Sequence, residues 1–136
     1  MSGTALGAAG ERAARRHPAS PLGEAAAAGR EITGALVTEL AFDGDPQALA
    51  ALTTMGERLG VGIAGLVNLL NPEVVVVGGG VIAAGDLLLD PARTVVAERA
   101  LRPSRDVVRI VPARFGAESG MLGAAVLAMD HVGARA

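Results

Sequence analysis

The chain has 136 residues, of which 51% are hydrophobic and 19% charged, as is typical of one globular domain or of part of a larger one. Its formal net charge is -2 and the charges are scattered, so the sequence indicates neither a nucleic-acid surface nor a polybasic membrane anchor. The absence of cysteine excludes disulfides, a thiol nucleophile and a cysteine-ligated zinc within this sequence, and the two histidines are too far apart to form a metal cluster.

The first third of the sequence is predicted to be helical. Thr4 to Arg16 reads as a helix, Pro18 to Leu22 as a loop, and Gly23 to Asp45 as one or two alanine-rich helical pieces closed by the turn DGDP. We therefore interpret residues 1–45 as a helical segment that precedes the more informative part of the chain.

Two features favour a cytoplasmic protein without a membrane partner. The N-terminus lacks the basic start and apolar core of a signal peptide. The longest uncharged run, Leu59 to Pro72, is shorter than the ~20 residues that a membrane-spanning helix needs.

A long helix is predicted from Asp45-Pro46, a capping carboxylate followed by proline at the first helical position, to Leu70. A stripe of small residues, Gly56, Gly60 and Ala64, predicts that a strand or another helix packs against it at close range. Its apolar residues recur every three or four positions and predict a seam buried along one face: Leu52, Met55, Leu59, Ile63, Leu66 and Leu70.

The run GVGIAG, Gly60 to Gly65, matches the dinucleotide-binding pattern GxGxxG letter for letter. That pattern works only in a turn between a strand and a helix, where free amides at the helix N-terminus face a pyrophosphate. Because the preceding residues continue the helical period, the match is interpreted as the interior of a helix.

A strand and a glycine turn follow the long helix. Val74 to Val77 is an unbroken apolar run of the kind found in strands buried in parallel sheets, and Gly78, Gly79 and Gly80 follow it. The next helix is predicted to begin at Asp90-Pro91 and to end at Leu101, which leaves Val81 to Leu89 as a loop that contains at most a helical turn.

The C-terminal part is predicted to add one strand and one helix. Val107 to Val111 is a second strand, and Gly116 to Asp130 is a final helix whose N-terminal dipole Glu118 would complement. Its apolar residues are predicted to face inward: Met121, Leu122, Ala125, Val126 and Met129. The order of strand, crossover, strand and helix predicts an α/β protein with a short buried sheet.

The glycines leave a dinucleotide-binding alternative of Rossmann type open. Gly78, Gly80 and Ala83 fit GxGxxA after a strand, and Arg114 could bind a 2′-phosphate. Against it, the clearest helix start lies ten residues beyond the second glycine, and no acid follows the second strand to bind ribose hydroxyls.

The segment GVGIAGLVNLLNPEVVVVGGGV resembles the C-terminal signature of the ROK family, the repressor, open reading frame and kinase group of sugar kinases and sugar-responsive repressors. The resemblance covers nearly the whole chain: SGTALG is similar to the segment after the family's zinc loop, DGDPQALAAL to the start of its long helix, and FGAESGMLGAAVLAM to its final helix. Only Ala8 to Leu40 departs visibly, being shorter than expected.

This resemblance implies the actin-like, ribonuclease-H-like ATPase fold, in which two α/β domains clamp ATP between them. Residues 1–136 would be the C-terminal portion of such a protein, with the helical segment 1–45 followed by the long helix, strand, glycine turn, helix, strand and final helix of 46–136. The turn after the buried strand would contact the adenosine of ATP, at Gly78, Gly79, Gly80 and Val81. The alternative on sequence alone is a tight turn without a ligand.

The family's phosphate-binding DxGGT motif, its catalytic aspartate and its histidine and cysteine zinc ligands have no counterpart here. Asp43 and Asp45 form a carboxylate pair, but at a helix-helix turn such residues usually cap helices, so no catalytic residue and no metal ligand is assigned.

The resemblance therefore implies a cytoplasmic, glucokinase-like enzyme that uses ATP and Mg²⁺ to phosphorylate a hexose, commonly glucose, and that forms a homo-oligomer. This chain would supply its nucleotide side, as a fragment or truncated product, and would be inactive alone. No contact with nucleic acid or membrane is expected from it. The alternative is the sugar-sensing effector domain of a ROK transcriptional repressor.

Overall fold

The computed structural model describes residues 2–114 and 119–133, and it begins with three helices. These are α1 (Gly3–Arg16), α2 (Pro21–Ala27) and α3 (Gly34–Phe42). A side-chain oxygen caps each one, since Ser2, Ser20 and Thr33 accept backbone N–H groups of the first helical turns. The helical character of this segment is confirmed, and the predicted loop ends early because Ser20-Pro21 already starts α2.

The long helix α4 (Pro46–Leu70) begins and ends where the sequence predicts. Asp45 is its N-cap, and the two carboxylate oxygens accept one backbone N–H each, from Gln47 of α4 and from Leu22 of α2, both at 2.8 Å. Asp45 is buried, and both of its carboxylate oxygens accept hydrogen bonds that join the starts of α2 and α4. Asp43 caps the end of α3. The pair is therefore structural.

The predicted seam of α4 is correct in its first part and wrong at its end. Leu52, Met55 and Ile63 are buried, but Leu66 is 50% and Leu70 67% exposed. Val67 is fully buried in their place. The buried face continues along the side that carries the small residues because the neighbouring helix lies there, and the apolar period alone does not identify that side.

That neighbour is α5 (Asp86–Arg99), which packs along α4 more extensively than any other described element does. A Cβ at Gly56 would collide with the carbonyl oxygen of Leu88, and one at Gly60 would lie 2.6 Å from that of Ala92. The close approach predicted from the small stripe is confirmed, and the partner is a helix. GVGIAG lies inside α4, as predicted.

The predicted start of α5 at Asp90-Pro91 is wrong. The helix begins at Asp86, after Gly85 at a φ of 55°, and Pro91 lies inside it. Proline has no N–H, so only the Leu87 carbonyl loses its helical partner, and the proline ring packs instead towards Gly56. Pro91, a residue type that normally marks a helix start, is therefore accommodated inside α5 by its packing against α4.

Strands β1 (Val74–Val77) and β2 (Arg109–Pro112) form a parallel pair, with Val74 opposite Arg109 and Val77 opposite Pro112. β1 matches its prediction, while β2 starts two residues late because Val107 ends the short helix α6 (Ser104–Val107). One face of the sheet packs on α4 and α5 through Ile110.

The other face of the sheet is open, so the prediction of a buried sheet is wrong on that side. Val76 is 62% exposed, and Val74 is also exposed. The side chains of a strand alternate between the two faces of a sheet. In the part of the chain that the structure describes, helices pack against only one of these faces, so the valines on the other face are exposed.

The final helix α7 (Ser119–Gly133) is confirmed as a helix, but its predicted inward residues are not buried. Met121, Ala125, Val126 and Met129 are exposed, Met129 to 74%, because α7 packs extensively against no other described element. The side chain of Leu122 and the predicted helix start, with Glu118, lie outside the described residues. No described helix combines the length and apolarity needed to cross a membrane.

We expect the chain to self-associate in solution. Leu69, Leu70, Leu101 and the outer valines of β1 expose apolar surface, and a two-stranded sheet leaves unpaired backbone at its edges. Light scattering after gel filtration should show dimers or larger species, and a naphthalene-sulfonate dye should bind strongly. A monodisperse monomer with a cooperative melt and no dye binding would contradict this prediction.

Candidate functional site

The three glycines after β1 shape a turn that only glycine permits at one position. Gly79 has a φ of 95° and a ψ of 176°, a conformation that residues with a Cβ rarely adopt. Gly80 then starts a short 3₁₀ turn (Gly80–Ala84). A Cβ at Gly80 would meet no atom of residues 2–114 and 119–133 within 4 Å, so the backbone there borders space that these residues leave open.

The 3₁₀ turn forms one wall of a cleft of about 310 Å³. The N-terminal turns of α1 and α3 form the others, and they touch each other so closely that a Cβ at Gly34 would lie 2.6 Å from the Gly3 carbonyl oxygen. The lining residues are Gly3, Leu6, Gly34, Ala35, Thr38, Gly80, Val81 and Ala83. Most of this surface is apolar.

The composition of the cleft suits a ring system better than a phosphate group. No charged residue lines it within the described part of the chain, and its size is at the lower end for ligand pockets. Thr38 supplies the one lining side-chain hydroxyl, which donates to the Gly34 carbonyl oxygen at 2.9 Å and keeps its lone pairs as acceptors. Flat apolar walls of glycine, alanine and valine can enclose a base or a sugar face.

The structure brings only part of the predicted adenosine site to this cleft. Gly80 and Val81 line it, whereas Gly78 and Gly79 set the turn behind it. Sequence reasoning missed the walls from α1 and α3, including Gly3 and Gly34. A signal existed for Gly34, which directly follows the capping Thr33 and where only the lack of a Cβ permits the close approach to the Gly3 carbonyl oxygen. No such signal marks Gly3, where an added Cβ would meet no atom of the described residues within 4 Å.

The strongest charged cluster in the described chain is structural. Arg93 donates to Asp86 and Asp90 at 2.8 and 2.6 Å and to the Ile110 carbonyl oxygen at 3.1 Å, which joins the start of α5 to β2. The hydrogen bonds that Arg93 donates to Asp86 and, in second place, to Asp90 raise the pKa of Arg93. Among residues 2–114 and 119–133, no group of three histidine or acidic side chains could hold a metal ion.

The glycine turn does not have the geometry of a Rossmann fingerprint. That fingerprint needs an α-helix to begin at the second glycine, with its amides free for a pyrophosphate. Here a 3₁₀ turn occupies that place and α5 begins only at Asp86. The dinucleotide alternative is therefore not taken further.

Comparison with known proteins gives consistent results. The ROK family model matches residues 1–131. A glucokinase of Streptomyces coelicolor is 33% identical over 73% of this chain and 32% of its own length. A putative xylose repressor of a Caldicellulosiruptor strain is 30% identical over 75% of this chain and 26% of its own length.

Among solved structures, a ROK family glucokinase from Streptomyces griseus in complex with glucose and AMPPNP is similar with a TM-score of 0.73 and 31% identity. The match covers 92% of this chain and 42% of that one. The predicted fold class, part of an actin-like sugar kinase, is confirmed. The chain spans about a third or less of the curated relatives above.

Proposed function

This chain belongs to the ROK family, and from that premise we propose that it forms the nucleotide side of a glucokinase-like enzyme that transfers the γ-phosphoryl group of ATP to glucose. The observation that carries the proposal is the apolar cleft beside the Gly79-Gly80 turn. The relative from Streptomyces griseus, whose complex contains glucose and an ATP analogue, supports it.

In this proposal the adenosine of ATP occupies the cleft. Gly80 and Val81 contact it from the 3₁₀ turn, and Gly78 and Gly79 hold that turn in place. Leu6 and Ala35 provide apolar surface on the opposite walls. These groups bind and orient the nucleotide but move no proton, so this part of the chain contributes affinity and position to phosphoryl transfer.

Magnesium accompanies ATP in such chemistry and neutralises charge on the transferring phosphate. The described residues do not fit a magnesium site, because no carboxylate lines the cleft. We therefore assign the metal and the hexose to other parts of the assembled enzyme. A cytoplasmic location, where ATP is available, and a homo-oligomer belong to the same proposal.

The second candidate is the sugar-sensing effector domain of a transcriptional repressor, supported by the similarity to the putative xylose repressor. The two functions differ in residues outside this chain. Sequencing the DNA immediately upstream of Met1 discriminates them: an in-frame DxGGT motif and zinc loop support the kinase, and a helix-turn-helix supports the repressor.

We expect Gly80→Val, in the longer protein that this proposal implies, to weaken ATP binding at least ~10-fold and to change glucose binding less than ~3-fold. Gly80 has no positive φ, and no atom of the described residues lies within reach of an added Cβ, so valine would fill the ligand's space without straining the turn. Calorimetric titration with AMPPNP and with glucose measures both affinities.

Gly62→Val is the matched control, because Gly62 also borders open space but lies on the exposed side of α4. It should leave both affinities unchanged. Unaltered AMPPNP affinity in Gly80→Val, or an equal loss for nucleotide and sugar, would mean that the turn has only a structural role.

A further inference from the structure

A second and larger groove, of about 600 Å³, lies between α1 and α4, outside the cleft described above. Its floor consists of small side chains from both helices. The residues that line it are Ala5, Ala8, Ala9, Arg12, Ala13, Arg16, His17, Gln47, Ala50, Ala51, Thr54, Met55 and Arg58. The inference drawn from this groove is independent of the proposed kinase function.

The charged residues that line this groove are all basic. Arg12, Arg16 and Arg58 border it, and no acidic residue does. Their side chains form no ion pair or hydrogen bond within the described residues, and the nearby Glu11 pairs instead with Arg15. Three unpaired guanidinium groups thus stand beside an apolar floor in a chain whose net charge is -2.

The basic groups are spread along the groove. His17, at the end of α1, lies against α2, and the Leu22 amide of α2 binds Asp45 at the start of α4. Arg16 therefore lies near the start of α4, while Arg58 is twelve residues beyond Pro46, about 18 Å along the helix. A single phosphate reaches one end of such an array, whereas an elongated acidic ligand reaches all of it.

We propose that this groove docks an acidic amphipathic helix of a partner protein. The alanine floor allows a third helix to approach at the short interaxial distances of packed helices, with small apolar residues facing α1 and α4. Glutamate or aspartate side chains at the edges of that helix pair with Arg12, Arg16 and Arg58. About three helical turns span the basic array.

The test uses a fluorescent, end-capped peptide of alanine, leucine and glutamate with its acids three and four residues apart, and a twin with glutamine for every glutamate. Fluorescence anisotropy with the chain should show at least ~10-fold tighter binding of the acidic peptide, weakened as salt rises. The double variant Arg12→Gln and Arg58→Gln should lose at least ~10-fold. Ala8→Leu places a larger side chain on the floor of the groove without changing its charge, and it should also weaken binding.

The matched control is the double variant Arg30→Gln and Arg99→Gln, which removes two exposed guanidinium groups elsewhere and should change the affinity less than ~2-fold. Circular dichroism checks that all variants keep their helices. Equal binding of the twin peptides, or unchanged binding by the Arg12 and Arg58 variant, would overturn the proposal. Displacement of the peptide by inorganic phosphate at matched ionic strength would also overturn it, because the groove would then be a small-anion site.

Discussion

Mixed with ATP, Mg²⁺ and glucose, residues 1–136 alone are expected to form glucose 6-phosphate at a rate at least ~10⁴-fold below that of a glucokinase. A positioned base and electrostatic stabilisation provide most of the acceleration of phosphoryl transfer. The cleft has neither within the described residues, since no charged side chain lines it and Asp45, which the sequence offered as part of a carboxylate pair, is buried as a helix cap. A coupled dehydrogenase assay follows the product.

The same assay is repeated after co-expression with the polypeptide encoded directly upstream of Met1. Activity only in this second sample would identify the chain as the nucleotide side of a kinase whose catalytic groups are supplied by the other part. Glucose 6-phosphate formed by the chain alone would show that our assignment of the catalytic groups is wrong.

Gly56→Ala and Gly60→Ala are each expected to destabilise the chain by about 2 kcal/mol or more, although alanine favours a helix by about 1 kcal/mol over glycine. Their new methyl groups would meet backbone carbonyl oxygens of α5, those of Leu88 and Ala92, and rigid backbone cannot rotate away. The α4–α5 pair is the most extensive helix contact described, so the whole structure should be affected.

The matched controls are Gly62→Ala and Gly65→Ala, in the same helix but with no atom from the described part of the chain within 4 Å of the added Cβ. They should stabilise by up to about 1 kcal/mol each. Urea denaturation followed by helical circular dichroism, at one protein concentration, compares all four variants. Stabilisation by all four substitutions would mean that α4 and α5 are not packed closely in solution.

Local signals explain why so many elements could be predicted. The Asp45-Pro46 cap, the apolar run of β1 and the small stripe at Gly56 and Gly60 each depend on residues within a few positions of one another. A helix cap depends on hydrogen bonds between neighbouring residues, and an apolar face depends on the spacing of residues along one segment. Both can therefore be read directly from the sequence. The glycine turn follows from an equally local signal, three consecutive glycines directly after an apolar strand. The structure shows why glycine is needed there, because Gly79 adopts a positive φ.

The sequence alone determined that α4 carries a close-packed face, that β1 ends in a glycine turn and that Asp45 caps a helix. Only the tertiary structure decided that Val67 and not Leu66 is buried, and that the cleft beside Gly80 takes its other walls from Gly3 and Gly34. These outcomes depend on contacts between residues tens of positions apart. A local period identifies an apolar face of a helix, but the element that packs against that helix, here α5 on α4, determines which of its residues are buried.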